Sequence, residues 1–292
     1  MIKPKLLFII GMQKSGTSLC NRMLMKQPFI TNPFLPEGAS FWGDLPPFTP
    51  MESPCGQLYQ KHNGLKGHAL DSDDFNKKDN ELLHHRIKNA KVKTPILMNK
   101  NPYNSVRTEW LKKHFPEAKI YAIVRNPIAN IYSLLKKYDD RNNQGIGPEN
   151  GWWGIKPRLW GKLINNNKVI QCTQQWNAVN QNIIDSQTHI DRILDYELIC
   201  EKPNEIVKIV TEEFNLNTSI AELPRCKSFN DEYLYGSRLV SKNQELRRTG
   251  HFNLSELEED IEFPPLTPSE IEYINRHSQD LWVQLKSKCM QL

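Results

Sequence analysis

The chain has 292 residues, 38% of them hydrophobic, enough for a substantial core in one large domain or two. Its net charge of +5 at pH 7 suits an anionic ligand, but the basic excess is spread along the chain rather than gathered in a tail, which argues against a nucleic-acid binder. Six scattered cysteines (Cys20, Cys55, Cys172, Cys200, Cys226 and Cys289) form no C-x-x-C pair, so neither a zinc site nor a disulfide framework is indicated and a reduced cytosol is the expected home.

The apolar run after Met1 is too short for a signal peptide or a membrane span, and reads instead as a strand over Lys5 to Ile10. A helix from Thr17 to Lys26 follows, with Leu19, Met23 and Leu24 at helical spacing. Between the two, Gly11-Met12-Gln13-Lys14-Ser15-Gly16-Thr17-Ser18 has the glycine spacing of a phosphate-binding loop, G-x-x-x-x-G-K-[ST], with Thr17 in the lysine slot. Lys14 lies inside the loop, where its ammonium would sit beside a 5′-phosphate and the group leaving from it. Strand, glycine-bounded turn and helix N-terminus make an anion site, because the first-turn N–H groups are unpaired and the helix dipole is positive there. On this pattern alone, an ordinary strand-turn-helix is the alternative.

Gln27 to Pro54 is rich in proline and aromatics and reads as a loop able to line a site. A second strand is expected at Pro95 to Met98, ending at Asn99-Lys100-Asn101-Pro102-Tyr103, and Asn104 or Ser105 is expected to cap a helix with Val106, Trp110 and Leu111 on its apolar side. Lys119 to Val124 is the clearest strand, and Pro127 opens the helix of Ile128, Ile131, Leu134 and Leu135. Asp139 to Lys168, with Trp152, Trp153 and Trp160, reads as an excursion outside the core whose tryptophans are packing anchors or substrate contacts. A helix over about Cys172 to Asp185 and a strand near Ile190 to Asp195 follow. The capping box Thr267-Pro268-Ser269-Glu270 opens a terminal helix with the stripe Ile271, Ile274, Leu281, Trp282 and Leu285. Helices alternating with short apolar runs, without internal repeats, predict an α/β fold.

Arg125 emerges at the carboxyl end of a strand, where ligands gather in open α/β sheets, and Ser133 lies on the next helix. With these residues the chain resembles the sulfotransferases that use 3′-phosphoadenosine 5′-phosphosulfate (PAPS). In that family a Lys-Ser-Gly-Thr loop holds the 5′-phosphosulfate, matched here by Gln13, Lys14, Ser15, Gly16, Thr17 and Ser18. An Arg-x-Pro-x5-Ser element holds the 3′-phosphate, matched by Arg125 to Ser133 in the same order. The stretch from Trp110-Leu111 through Phe115-Pro116-Glu117-Ala118-Lys119 is similar to the family's approach to that arginine. Asp195-Tyr196-Glu197-Leu198 with Pro203 is similar to its Tyr-Glu-Asp-Leu stretch, and Arg247-Arg248-Thr249-Gly250 falls where a basic glycine loop closes over the 3′-phosphate. Met12-Gln13 replace the Tyr-Pro of cytosolic members, and the histidine of their Lys-Thr-His-Leu-Pro strand is missing.

The resemblance implies one domain over residues 1–292, with a P-loop NTPase-like three-layer fold around a central parallel sheet. It also implies in-line transfer of sulfonate from PAPS to a hydroxyl or amine of a glycan, lipid or small-molecule acceptor. Positioning and electrostatics would do most of the work. Lys14 is then the cation on the leaving group and Lys100 a second one. Glu37 is the expected general base, since Glu37-Gly38-Ala39-Ser40-Phe41-Trp42 and Lys100-Asn101-Pro102-Tyr103 resemble elements of the carbohydrate-modifying branch. Asp44 is the next carboxylate, His251 and the pair His84-His85 are weaker bases, and a solvated Glu37 is the bland alternative. No metal is expected, nor nucleic acid or a membrane span, and the oligomeric state is left open. A nucleotide-dependent kinase with a variant loop and a non-catalytic nucleotide-binding protein are the rival readings.

Overall fold

Five strands, all parallel, run in the order β2-β3-β1-β4-β5: β1 (Lys5–Gly11), β2 (Ile30–Thr31), β3 (Ile96–Lys100), β4 (Lys119–Val124) and β5 (Arg192–Asp195). The computed structural model describes residues 3–33, 41, 64–90, 92–138, 151–223 and 265–290. β1 lies in the middle and is apolar from Leu6 to Ile10 because both its faces are covered there. Phe8 and Ile10 pack on one side with α2 (Lys77–Asn89), α3 (Thr108–His114), α4 (Pro127–Leu135), α5 (Lys168–Asp185) and the terminal α8 (Pro268–Lys288). Leu7 and Ile9 pack on the other side with α1 (Thr17–Leu24), α6 (Tyr196–Glu201) and α7 (Pro203–Glu213). The result is an α/β fold, as the alternation of elements predicted, in the three-layer form that the resemblance implied. Among the described residues no helix is long and apolar enough to cross a membrane.

Several boundaries follow from local chemistry. Asn126 accepts hydrogen bonds from the Ile128 and Ala129 amides, and Pro127 takes the first helical position of α4. Such a cap contributes about 1 kcal/mol. The capping box at Thr267 and Glu270 forms as expected, and in α8 the deepest residues are Ile274, Ser278 and Leu285 while Ile271, Leu281 and Trp282 are half-buried. At the open edge of the sheet the Met290 amide donates to the Ile193 carbonyl, which blunts β5, and β2 is only two residues long.

Three expectations are corrected. β3 continues to Lys100, two residues beyond the expected end. Neither Asn104 nor Ser105 caps a helix: Asn101 caps a 3₁₀ turn over Pro102–Val106, and α3 starts after Arg107 without a side-chain cap. Trp152 is not outside the core; it is buried, with its indole N–H on the Ile155 carbonyl and its ring edge-on to Trp160.

At the amino ends of β4 and β5, Lys112, Lys119 and Arg192 pair with Asp191 and Glu213 at 3.0 to 3.1 Å. That network ties one end of the sheet shut. The carboxyl ends stand opposite it.

Candidate functional site

Strand register brings the chemistry to one row. Ile9 pairs with Lys100, Gly11 with Ile123 and Val124 with Asp195, so Lys100, the glycine loop, Arg125 and Tyr196 all emerge along the carboxyl edge of the sheet. The loop's shape depends on three residues at positive φ, Gly11 (φ 147°), Lys14 (φ 67°) and Gly16 (φ 103°). Three side chains from distant elements hold it. Ser105 Oγ accepts from the Gly11 amide at 2.7 Å, Asn130 Nδ2 donates to the Gln13 carbonyl at 2.9 Å, and Arg125 Nη1 donates to the Lys14 carbonyl at 3.0 Å.

With two loop carbonyls engaged by β4 and α4, the open end of α1 is left to bind. Gly16 caps that helix with no side chain, so the first-turn amides have no partner inside it and present a positive dipole end. Ser15 Oγ and both side-chain amide atoms of Gln13 are buried with no hydrogen-bond partner among the described residues. Buried polar atoms are seldom left unpaired in a native protein, and here they surround a loop shaped to cradle an anion. Thr17 is buried beside them, whereas Lys14 and Ser18 reach partly into solvent.

Arg125 is 9% exposed and lies over the Tyr196 ring, 4.3 Å from its centroid. The same ring fills the space where a Gly16 side chain would go: a Cβ there would stand 2.3 Å from Tyr196 Cδ2. One tyrosine therefore backs both the loop and the arginine. Tyr196 opens α6, which Asp195 caps, and Asp195 in turn pairs with Lys286 of α8. Burial pushes the Asp195 carboxyl up, but hydrogen bonds with Glu197 and Lys286 outweigh it and hold the group below the usual carboxylate range. Burial, then the hydrogen bond and charge of Asp195, push Glu197 up to about 8.

Gly16→Ala is expected to cost about 1 to 3 kcal/mol, because alanine is strained at that φ and its methyl group meets the tyrosine. The unfolding midpoint should fall by about 2 to 4 °C per kcal/mol. A wild-type melting curve by circular dichroism would refute the close approach.

Lys100 is 4% exposed at the tip of β3, and Ser133 is buried one turn beyond Asn130 on the same side of α4. The structure thus brings together Gln13, Lys14, Ser15, Gly16, Thr17, Ser18, Lys100 and Arg125 along one edge, with Ser133 farther along α4. Glu37, Asp44, Arg247, Arg248, Gly250 and His251 lie outside the described residues. His84 is occupied elsewhere, with Nε2 3.1 Å from the His114 carbonyl oxygen. No group of His, Cys, Asp or Glu among the described residues has the arrangement of a metal site.

Sequence reading missed Ser105 and Asn130 as parts of the site. Asn130 carries a faint signal, a polar residue inside an otherwise apolar helix, where a buried amide needs partners.

A profile of the sulfotransferase family matches residues 4–217. No curated protein matches the sequence. Solved structures similar to this chain include the sulfotransferase domain from the curacin biosynthetic pathway, at 16% identity over 96% of this chain and 99% of that one, with a TM-score of 0.47. A sulfotransferase from Mycobacterium avium is 15% identical over 100% of this chain and 79% of that one, TM-score 0.47, and one from Alicyclobacillus acidocaldarius is 16% identical over 87% and 98%, TM-score 0.46. The profile runs from β1 through the glycine loop, Lys100 and Arg125 to the residues after α7, and by that match the chain belongs to the sulfotransferase family.

Proposed function

We propose that this protein transfers a sulfonate group from PAPS to a hydroxyl or amine of a glycan, lipid or small-molecule acceptor. The observation that carries the reading is the coupling of Arg125, at the end of β4, to Lys14 in the loop: the lysine side chain rises from the residue whose carbonyl the arginine holds. Two cations fixed to one short segment suit a ligand with two separate phosphate groups. The α1 amides, Ser15, Thr17 and Ser18 would hold the 5′-phosphosulfate, and Arg125 with Ser133 the 3′-phosphate, joined by Arg247, Arg248 and Gly250.

In the transfer the acceptor oxygen or nitrogen forms a bond to sulfur as the bond from sulfur to the bridging oxygen breaks, and that electron pair stays on the 5′-phosphate. Lys14 meets the charge developing on the leaving oxygen, with Lys100 as second cation. The acceptor's proton passes to a base, for which Glu37 is the assignment.

The test is thermal unfolding with 3′,5′-adenosine bisphosphate, ADP and ATP, each with and without Mg²⁺. Bisphosphate at about 100 times its dissociation constant adds about 2.7 kcal/mol, which raises the midpoint by about 5 to 10 °C. We expect that rise with bisphosphate and without dependence on Mg²⁺. Stabilisation by Mg²⁺-ATP alone would replace the proposal with a kinase.

A further inference from the structure

A buried histidine outside the loop ties three segments together behind the site. The His68 amide donates to the Lys156 carbonyl at 2.7 Å, and the Lys156 amide donates back to His68 Nδ1 at 2.8 Å. The His68 carbonyl accepts from Nε of the fully buried Arg107 at 2.7 Å, and its ring stands edge-on to Tyr103, 4.5 Å away, three residues beyond Lys100.

The turn it holds reaches the anion loop. Within the turn Gly154 has φ 87°, and a Cβ on it would lie 2.2 Å from Gln13 Nε2, so the turn presses its bare backbone against the Gln13 side chain. Gln175 Nε2 secures the turn from behind by donating to the Trp153 and Ile155 carbonyls, at 3.0 and 2.9 Å. The opposite side of Gln13 is fixed by Asn130. His68 therefore acts on the loop through Lys156, Gly154 and Gln13.

An Nδ1 that accepts from a backbone amide carries no proton, so the hydrogen of this neutral imidazole sits on Nε2. Protonation would set two N–H groups against each other at Nδ1 and release the turn. Among the described residues the ring meets the Tyr103 ring, while the Arg107 guanidinium reaches the His68 backbone carbonyl, and Lys156 meets the imidazole through its backbone amide with its ammonium over Trp160.

We propose that His68 is a positioning residue that holds the 151–157 turn against Gln13 and so sets an acid limit on anion binding by the glycine loop. The proposal rests on the reading of that loop as a phosphate site. Its sign is fixed by the bond: the contribution is present while the imidazole is neutral and is lost as pH falls through the range where histidines titrate, between about pH 8 and pH 5.

The test uses the full chain as wild type, His68→Asn and His68→Leu. Asparagine offers an oxygen that accepts from the Lys156 amide at any pH, and leucine offers nothing. Two readouts are followed from pH 8 to pH 5: affinity for 3′,5′-adenosine bisphosphate by titration calorimetry, and tryptophan emission, since Trp152, Trp153 and Trp160 lie on or beside the turn. Phosphate groups themselves take up protons near pH 6, so the difference between proteins is what counts. We expect wild-type affinity to fall about tenfold further than that of His68→Asn on acidification, about 1.4 kcal/mol, with an emission change in wild type that His68→Asn lacks. His68→Leu should bind weakly at every pH; if it fails to fold, the comparison of wild type with His68→Asn stands alone. Equal pH profiles in those two proteins would overturn the proposal. Absence of bisphosphate binding at any pH, with the emission change still specific to wild type, would sink the phosphate reading and leave the histidine's hold on the turn intact.

Discussion

Lys14→Ala is expected to lower sulfonate transfer from PAPS by about 10²- to 10³-fold while leaving the fold intact. The Lys14 carbonyl receives Arg125, and alanine keeps that carbonyl. Its side chain is partly in solvent, so truncation removes little packing. A second variant makes the test sharper. Lys14 sits at φ 67°, a conformation that costs a side chain on the order of 1 kcal/mol and costs glycine almost nothing. Lys14→Gly should therefore be as inactive as Lys14→Ala and yet unfold at a midpoint about 2 to 4 °C higher than the alanine variant. Turnover within tenfold of wild type in either variant, measured as release of bisphosphate from PAPS, would remove Lys14 from the chemistry.

The parts of this protein that could be read from its residues are those set by local rules. β1 was visible because a strand covered on both faces must be apolar along its length, and the glycine loop because no other residue takes φ 103° at Gly16 so easily. Pro127 and the Thr267 capping box fixed helix starts for reasons contained within four residues. What stayed hidden is what depends on distance along the chain. Ser105 was expected to cap a nearby helix, and local propensity favours that use, but its hydroxyl is claimed by the Gly11 amide 94 positions away. Asn130 reaches Gln13 across 117 positions and Arg125 reaches Lys14 across 111, and nothing in either local pattern names the partner. Tyr196 was recognised as part of a family-like stretch, but its role behind both Gly16 and Arg125 appears only once β5 is beside β4. Trp152 went the other way, since a glycine-containing polar stretch hid a side chain that belongs to the core.

Arg125→Ala should weaken 3′,5′-adenosine bisphosphate binding by about 10- to 100-fold, the 1.4 to 2.7 kcal/mol expected when a charge-assisted phosphate contact is lost. Two effects contribute, and other variants separate them. The guanidinium is pre-positioned, over the Tyr196 ring with one nitrogen on the Lys14 carbonyl. Arg125→Lys keeps the charge but cannot reproduce a planar fork held between ring and carbonyl, so it should recover less than half of the lost binding energy. Tyr196→Leu keeps the arginine and removes the ring beneath it, at about 0.5 to 2 kcal/mol for a cation–aromatic contact, and should weaken binding by about 2- to 30-fold. If charge alone mattered, Arg125→Lys would bind as wild type and its affinity would fall with salt as steeply. If shape dominates, Arg125→Lys and Tyr196→Leu should resemble each other, and the double variant should lose less than the sum of the two, because each removes the same stacked geometry. Wild-type affinity in Arg125→Ala would leave the arginine as a brace for the loop with no phosphate of its own, and the second anion would have to be sought elsewhere along the sheet edge, at Lys100.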